Sequence, residues 1–375
     1  MEPTNLKEIA GLFLKLGLIS FGGPAAHIAM MQHEVVNKRK WLSEQHFLDL
    51  VGATNLIPGP NSTEMAIHIG QERAGKKGLI VAGLCFILPA VLITFFFAWL
   101  YKQYGQLPEV QPFVYGIKPA IIVIILAAIL PLAKRSLKSI ELGILGLTVL
   151  VLSLLNINEI SLMLGAGLFA LLMAALRNKE LKSKKNLFPF ILLQVPGISI
   201  FSSTNTHLFL IFLKIGAILY GSGYVLFAFL DTELVTTGIL TRQQLIDAIA
   251  VGQFTPGPVF SAVTFIGYQI NGTTGATVST IGIFLPSFVF VALLNPLVKK
   301  MRSSKLFAAF LDAVNVASVA IIIAVCYTMG KDAVTDWRTI TIAIVSILLS
   351  FGFQKINSVF IVLTGALLGY VLTLL

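Results

Sequence analysis

Phe21-Gly22-Gly23-Pro24 interrupts the first apolar segment of the chain, and Pro58-Gly59-Pro60-Asn61-Ser62-Thr63-Glu64 interrupts the second. Both have counterparts later on, Tyr220-Gly221-Ser222-Gly223 and Pro256-Gly257-Pro258. Glycine frees the backbone and proline removes an N–H donor, so each stretch breaks a helix. At membrane depth a broken helix exposes polar backbone, which is tolerable only where protein or a water-lined cavity satisfies it. Broken helices repeated in two halves therefore point to a substrate site.

The surrounding composition places these breaks in a bilayer. The 375 residues are 56% hydrophobic and 12% charged, with a mean hydropathy of +0.89. A soluble domain carries about 25% charged residues. Uncharged runs of 23, 26 and 20 residues at Leu79–Tyr101, Thr273–Val298 and Ile356–Leu375 reach the ~20 residues that cross a membrane. The fold class is an all-α polytopic membrane protein. The net charge of +10 sits in short loops between apolar segments, as in cytoplasmic loops, and this argues against a nucleic-acid partner. Cys85 and Cys326 lie in apolar stretches and read as packing residues, with no metal site or cofactor implied. The first residues lack the charged region and compact apolar core of a cleavable signal peptide.

The halves repeat residue by residue. Phe13, Lys15, Gly17, Gly22 and Glu34 meet Phe212, Lys214, Gly216, Gly221 and Glu233 at an offset of 199. At 198, Gln45, Asp49 and Pro58–Pro60 meet Gln243, Asp247 and Pro256–Pro258; at 197, Gly70, Gly75 and Leu88-Pro89 meet Gly267, Gly272 and Leu285-Pro286. This divides the chain into repeats at 1–176 and 206–375. The most charged run, Arg177 to Lys185, opens a basic and apolar linker at 177–205. Basic clusters at 38–40, 73–77, 134–138 and 177–185 share one face if segment 43–72 dips in and returns. The cluster around Lys299–Lys305 joins them only if the second repeat is upside down. Inverted repeats with paired broken helices are the signature of secondary transporters. About five spans per half, plus one re-entrant segment each, satisfy this count. The broken first segment reads either as one tilted span or as a second hairpin.

Several residues could carry chemistry. Lys15 and Lys214 precede each glycine break inside apolar sequence, where a lysine is costly; they either serve the site or snorkel to the interface. The helix ends at Gly22, Gly23 and Pro24, and at Gly59 with Asn61, Ser62 and Thr63, would present free N–H groups that suit oxyanions. The second copy offers Gly221, Ser222, Gly223, Thr255, Gly257 and Ser261. The alternative is that Pro-Gly-Pro only turns a hairpin. Glu64 has Ala262 at its repeat position; it could relay protons, pair with a lysine or stabilise its own helix end. His27 and His68 are either satisfied polar residues or protonatable groups near the site. Glu34 and Glu233 suit ion pairs. Walker, zinc-helix and serine-elbow patterns are absent, so no enzyme activity is read.

Phe21–Pro24 with His27, Lys40-Trp41-Leu42, Pro58–Thr63, and the second copies Gly221–Gly223 and Thr255–Pro258 resemble the chromate ion transporter family, in its long two-domain form. The resemblance spans both repeats. It implies a multi-pass plasma-membrane carrier that exports chromate, with the sulfate dianion as a related substrate, and two domains of opposite orientation. Pro24 becomes Gly223 and Asn61–Thr63 becomes Val259–Ser261 in the second copy, so the first half is expected to supply more of the polar contacts. Rival readings are a sulfate, molybdate or organic-anion carrier, an anion channel, or a non-transporting scaffold or sensor. A homodimer is compatible with any of them.

Overall fold

The computed structural model describes residues 6–177 and 204–374, apart from 106, 222, 303 and 353–355. The linker expected at 177–205 lies almost wholly outside the described residues.

The first repeat opens with α1 (Leu6–Ile19) and α2 (Gly23–Gln32), the latter running into a π turn at His33–Lys38. It continues with α3 (Glu44–Thr54), α4 (Asn61–Tyr104), α5 (Gln111–Ser136), α6 (Ile140–Leu154) and α7 (Glu159–Arg177). The second repeats that order. Its α8 (Thr204–Ile218) is followed by α9 (Val225–Leu230) with a π turn at Asp231–Val235, α10 (Arg242–Phe254) and α11 (Ala262–Arg302). It ends with α12 (Lys305–Ala333), α13 (Trp337–Gly352) and α14 (Ser358–Thr373). Local sequence explains the starts. Ser43 accepts a hydrogen bond from the His46 N–H at 3.2 Å, and Thr241 with Gln244 closes a reciprocal cap, each satisfying donors that a helix start leaves free. Both long helices change direction at matching glycines, Gly75 with φ of 57° and Gly272 with φ of 59°.

The broken first segment takes the hairpin form. Lys15 Nζ lies 2.8 Å from the Glu34 carboxylate, and Arg39 lies 3.9 Å from Glu8, so the two arms run antiparallel with Phe21–Gly23 at the tip. Lys214 and Glu233, 2.7 Å apart, close the equivalent hairpin in the second repeat. The next pair also folds back, since His46 reaches Glu72 at 3.2 Å. The broken first segment of each repeat is thus a second hairpin, not one tilted span. The reason lies in the ion pairs, which hold the open ends of the hairpin together and cannot be seen in a hydropathy trace.

Contacts between the halves establish the inversion. On one face Lys138, at the end of α5, reaches Asp312 at 2.6 Å near the start of α12. On the other, Lys102 lies over the Tyr268 ring at 5.5 Å and Gln269 donates to the Ala98 carbonyl at 2.9 Å. Tyr115 bonds Asp336, and Thr232 bonds Glu159, on that same face. The mouths of the two sets of hairpins therefore open toward opposite faces. Among the described residues, five helices are long and apolar enough to cross a membrane, with shorter apolar helices among the rest.

Packing interlocks the repeats. α4 and α11 lie against each other at the centre, flanked by α1 and α8 respectively. α5 packs on α13 and α14 of the other half, while α12 packs on α6 and α7. The α5–α14 approach depends on small residues, since a Cβ on Gly116 would sit 2.1 Å from the Gly365 carbonyl oxygen, the close backbone contact that holds helices together in lipid. Trp41 is buried beside the guanidinium groups of Arg39 and Arg73 at 5.7 and 4.9 Å.

Candidate substrate site where four broken helices cross

A helix break strands carbonyls that the missing next turn would have bonded. Here the two repeats satisfy each other. The Gly59 N–H donates to the Leu219 carbonyl at 2.8 Å, and the Gly257 N–H donates to the Ser20 carbonyl at 2.8 Å. Gly59 corresponds to Gly257 and Ser20 to Leu219 in the repeat, so the two bonds are one contact made twice across a pseudo-two-fold axis. Only glycine fits. Gly59 has φ of 136°, and a Cβ there would lie 2.2 Å from Glu64 Oε1 and 2.8 Å from Ser287 Oγ. Gly257 has φ of 89°, with Ala90 Cβ at 3.0 Å and the Gly17 carbonyl at 3.2 Å from such a Cβ.

The chemistry beside the two bonds differs. Next to Gly59 the Glu64 side chain is fully buried; one oxygen lies 3.4 Å from Ser287 Oγ and the other has no hydrogen-bond partner among the described residues. Thr63 Oγ1 and both nitrogens of His68, one turn along the same helix, are likewise buried and unpartnered. Next to Gly257 the positions equivalent to Glu64 and Ser287 are Ala262 and Ala90. There Thr94, Thr255 and Ser261 form a hydroxyl group cluster, with Thr94 Oγ1 at 3.4 and 3.2 Å from the other two. His27 stands edge-on to Phe86 at 5.8 Å and lies against the Ser20 backbone, short of a well-formed hydrogen bond. Buried polar groups are nearly always bonded. Several unpartnered ones around a helix crossing make it the candidate for a polar ligand.

The tips of the first hairpins face one another. A Cβ on Gly23 would lie 3.6 Å from the Tyr224 hydroxyl, and one on Gly223 would lie 4.0 Å from the Pro24 ring. Pro24 stands in the first turn of α2, where the N–H groups of Gly23 and Ala25 have no intrahelical partner. Asn61 donates to Asn55 at 2.8 Å, and Ser62 is buried. The structure thus brings Gly23, Pro24, His27, Gly59, Thr63, Glu64, Gly223, Thr255, Gly257 and Ser261 to or beside the crossing, while Gly22 meets only Ala26 of its own helix and Asn61 bonds only the nearby Asn55. Gly221 caps the second tip against α12, and Ser222 lies outside the described residues.

Lys15 and Lys214 are placed differently. Each pairs with the glutamate of its own hairpin, with side chains 48% and 42% exposed. Neither offers a free charge at the crossing. The cause is the antiparallel hairpin, which sets positions 15 and 34 opposite each other; Glu34 and Glu233 accordingly form the ion pairs their positions suggested.

Sequence reasoning passed over Ser20, Thr94, Tyr224 and Ser287, small or amphipathic residues in apolar runs with no signal of their own. It also passed over Lys118, which did carry one: a charge inside the apolar run of α5. Its ammonium lies 3.9 Å from Asp247, whose other carboxylate oxygen accepts from the Tyr101 hydroxyl at 2.5 Å.

Two repeats are also what comparison with known proteins finds. A family model described as chromate transporter matches residues 7–171 and again 206–370. A chromate transport protein of Cupriavidus metallidurans is 31% identical over 98% of this chain and 94% of its own length. A probable chromate transport protein of Synechococcus elongatus is 30% identical over 98% and 95%. An uncharacterised transporter of Methanocaldococcus jannaschii is 29% identical over 99% and 96%. No solved structure matches the chain. The two matched blocks coincide with the two repeats whose Pro-Gly-Pro breaks cross, and together they account for most of the sequence: the chain belongs to the chromate transporter family.

Proposed function

We propose that this protein exports chromate across the plasma membrane by alternating access, with the crossing of the four breaks as substrate site and fulcrum. The observation that carries the reading is the reciprocal pair of bonds, Gly59 to Leu219 and Gly257 to Ser20, flanked by unpartnered buried polar atoms. Tetrahedral dianions suit such a site, because hydroxyls and helix N-terminal N–H groups are donors without a formal charge and can surround four oxygens. Sulfate has the same shape and charge and is expected to compete.

The face bearing the basic loops at 38–40, 73–77 and 134–138 is cytoplasmic by the positive-inside rule. An inside-negative potential then favours outward movement of a dianion by about 2 × 2.3 kcal/mol per 100 mV. Glu64, buried with one free oxygen, supports a coupled proton as an additional driving ion. Inverted membrane vesicles should accumulate labelled chromate in proportion to the imposed potential. Purified protein in liposomes that takes up no more chromate than protein-free liposomes would refute the reading. Flux that fails to saturate with concentration would favour a channel instead.

A further inference from the structure

The two repeats are equivalent in sequence but not in arrangement. In the second repeat, α12 docks on the tip of its own first hairpin. Ser318 Oγ donates to the Tyr220 carbonyl at 3.2 Å, and a Cβ on Gly221 would lie 3.1 Å from Ser318 Cβ and 3.4 Å from Asn315 Oδ1. In the first repeat, α5 makes no comparable contact with α2 among the described residues, and a Cβ on Gly22 would meet only Ala26 of its own helix. Instead α5 leans on α10 of the other repeat through Lys118 and Asp247.

The register between α5 and α12 is unambiguous. Phe113, Ala120, Ile124, Ile125, Ala127 and Lys134 meet Phe310, Ala317, Ile321, Ile322, Ala324 and Lys331 at the offset of 197. Lys118 therefore corresponds to Asn315, and Ile121 to Ser318. Inverted repeats reach their second state largely by one repeat rocking against the other about the fixed site. Equivalent elements then exchange their contacts. In that exchanged state α5 docks on the tip at Gly22, and Lys118 occupies the place that Asn315 holds here beside Gly221.

We propose that Lys118 is a substrate-binding cation that alternates between Asp247, in the state described, and the dianion held at the Gly22–Gly23 tip, in the other. Three features support the assignment. Lys118 is a charge within an apolar helix, 15% exposed, and such a residue is by default functional. Its pairing is loose, at 3.9 Å, while Asp247 keeps a second, closer partner in Tyr101, so the carboxylate is not abandoned when the lysine leaves. The lysines expected from sequence to meet the substrate, Lys15 and Lys214, are already engaged by glutamates. The proposal rests on the transport reading above and gives it the positive charge that the crossing itself lacks.

The test uses the full chain in liposomes, with labelled chromate as the probe. Lys118→Gln should lower uptake at least ten-fold, and Lys118→Arg should retain uptake with a raised KM. Because Lys118→Gln leaves Asp247 without its cation and could impair folding, the double variant Lys118→Gln/Asp247→Asn removes both charges. It should fold and still be at least ten-fold slow. Recovery of the double variant to within two-fold of the parent would show that Lys118 only neutralises Asp247, and would overturn the proposal. A second readout does not depend on which anion is carried. In a Cys85→Ser/Cys326→Ser background, Gly221→Cys/Ser318→Cys should form a disulfide in the state described, and Gly22→Cys/Ile121→Cys should form one during turnover. Absence of the second where the first forms would also overturn the proposal. Parent protein that moves no chromate while the Gly22/Ile121 pair still closes would sink the chromate reading and leave the exchange standing.

Discussion

Gly59→Ala is the substitution that most directly strikes the crossing. The backbone there has φ of 136°, a region that residues with a Cβ enter at a cost of about 1–3 kcal/mol. The added methyl would lie 2.2 Å from Glu64 Oε1 and 2.8 Å from Ser287 Oγ. Both neighbours are buried, so relief requires moving packed side chains, at about 1–3 kcal/mol more. The total is about 2–6 kcal/mol before any loss of the bond to Leu219. Gly75 supplies the control, because it also has positive φ, 57°, but nothing lies within 4 Å of the added methyl. Gly75→Ala should therefore cost only the backbone share, about 1–3 kcal/mol. The assay is the thermal midpoint of detergent-purified protein, followed as loss of the monodisperse peak. Gly59→Ala should melt well below Gly75→Ala, and chromate should stabilise it less than it does the parent. A midpoint for Gly59→Ala equal to that of Gly75→Ala would mean that the space around the crossing is loose and that the crossing is no fulcrum.

Other expectations are simpler. Lys15→Met removes a half-exposed ion pair of the kind worth about 0–1 kcal/mol, so chromate KM should stay within two-fold of the parent; a ten-fold rise would return Lys15 to the site. Glu64→Gln keeps the shape and the Ser287 contact, so it should fold normally while uptake loses any response to an imposed proton gradient; a parental response would remove Glu64 from coupling. Impermeant thiol reagents should label Lys138→Cys and Asp312→Cys from one side of the membrane and Asp336→Cys from the other, in the cysteine-free background. Labelling of Asp312→Cys and Asp336→Cys from the same side would contradict the inverted arrangement.

The breaks, the duplication and the inversion were all legible in the chain. Glycine and proline act on the backbone where they stand, and loop charge reports orientation, so these signals are local and survive in one dimension. The caps at Ser43 and Thr241 are likewise built within one turn. What tertiary structure alone decided is which break meets which. The Gly59–Leu219 and Gly257–Ser20 bonds join residues far apart in sequence, and no periodicity distinguishes them from pairings within one repeat. It also decided the fate of the charges. Lys15 looked available because its neighbours in sequence are apolar, but the hairpin brings Glu34 across from it. Lys118 sat in plain view as a charge in a span, and only the position of Asn315 against Gly221 in the other repeat gave it a destination. An apolar helix shows that it is buried in the membrane. It does not show what it is buried against, because the same hydrophobic residues serve lipid and protein neighbours alike.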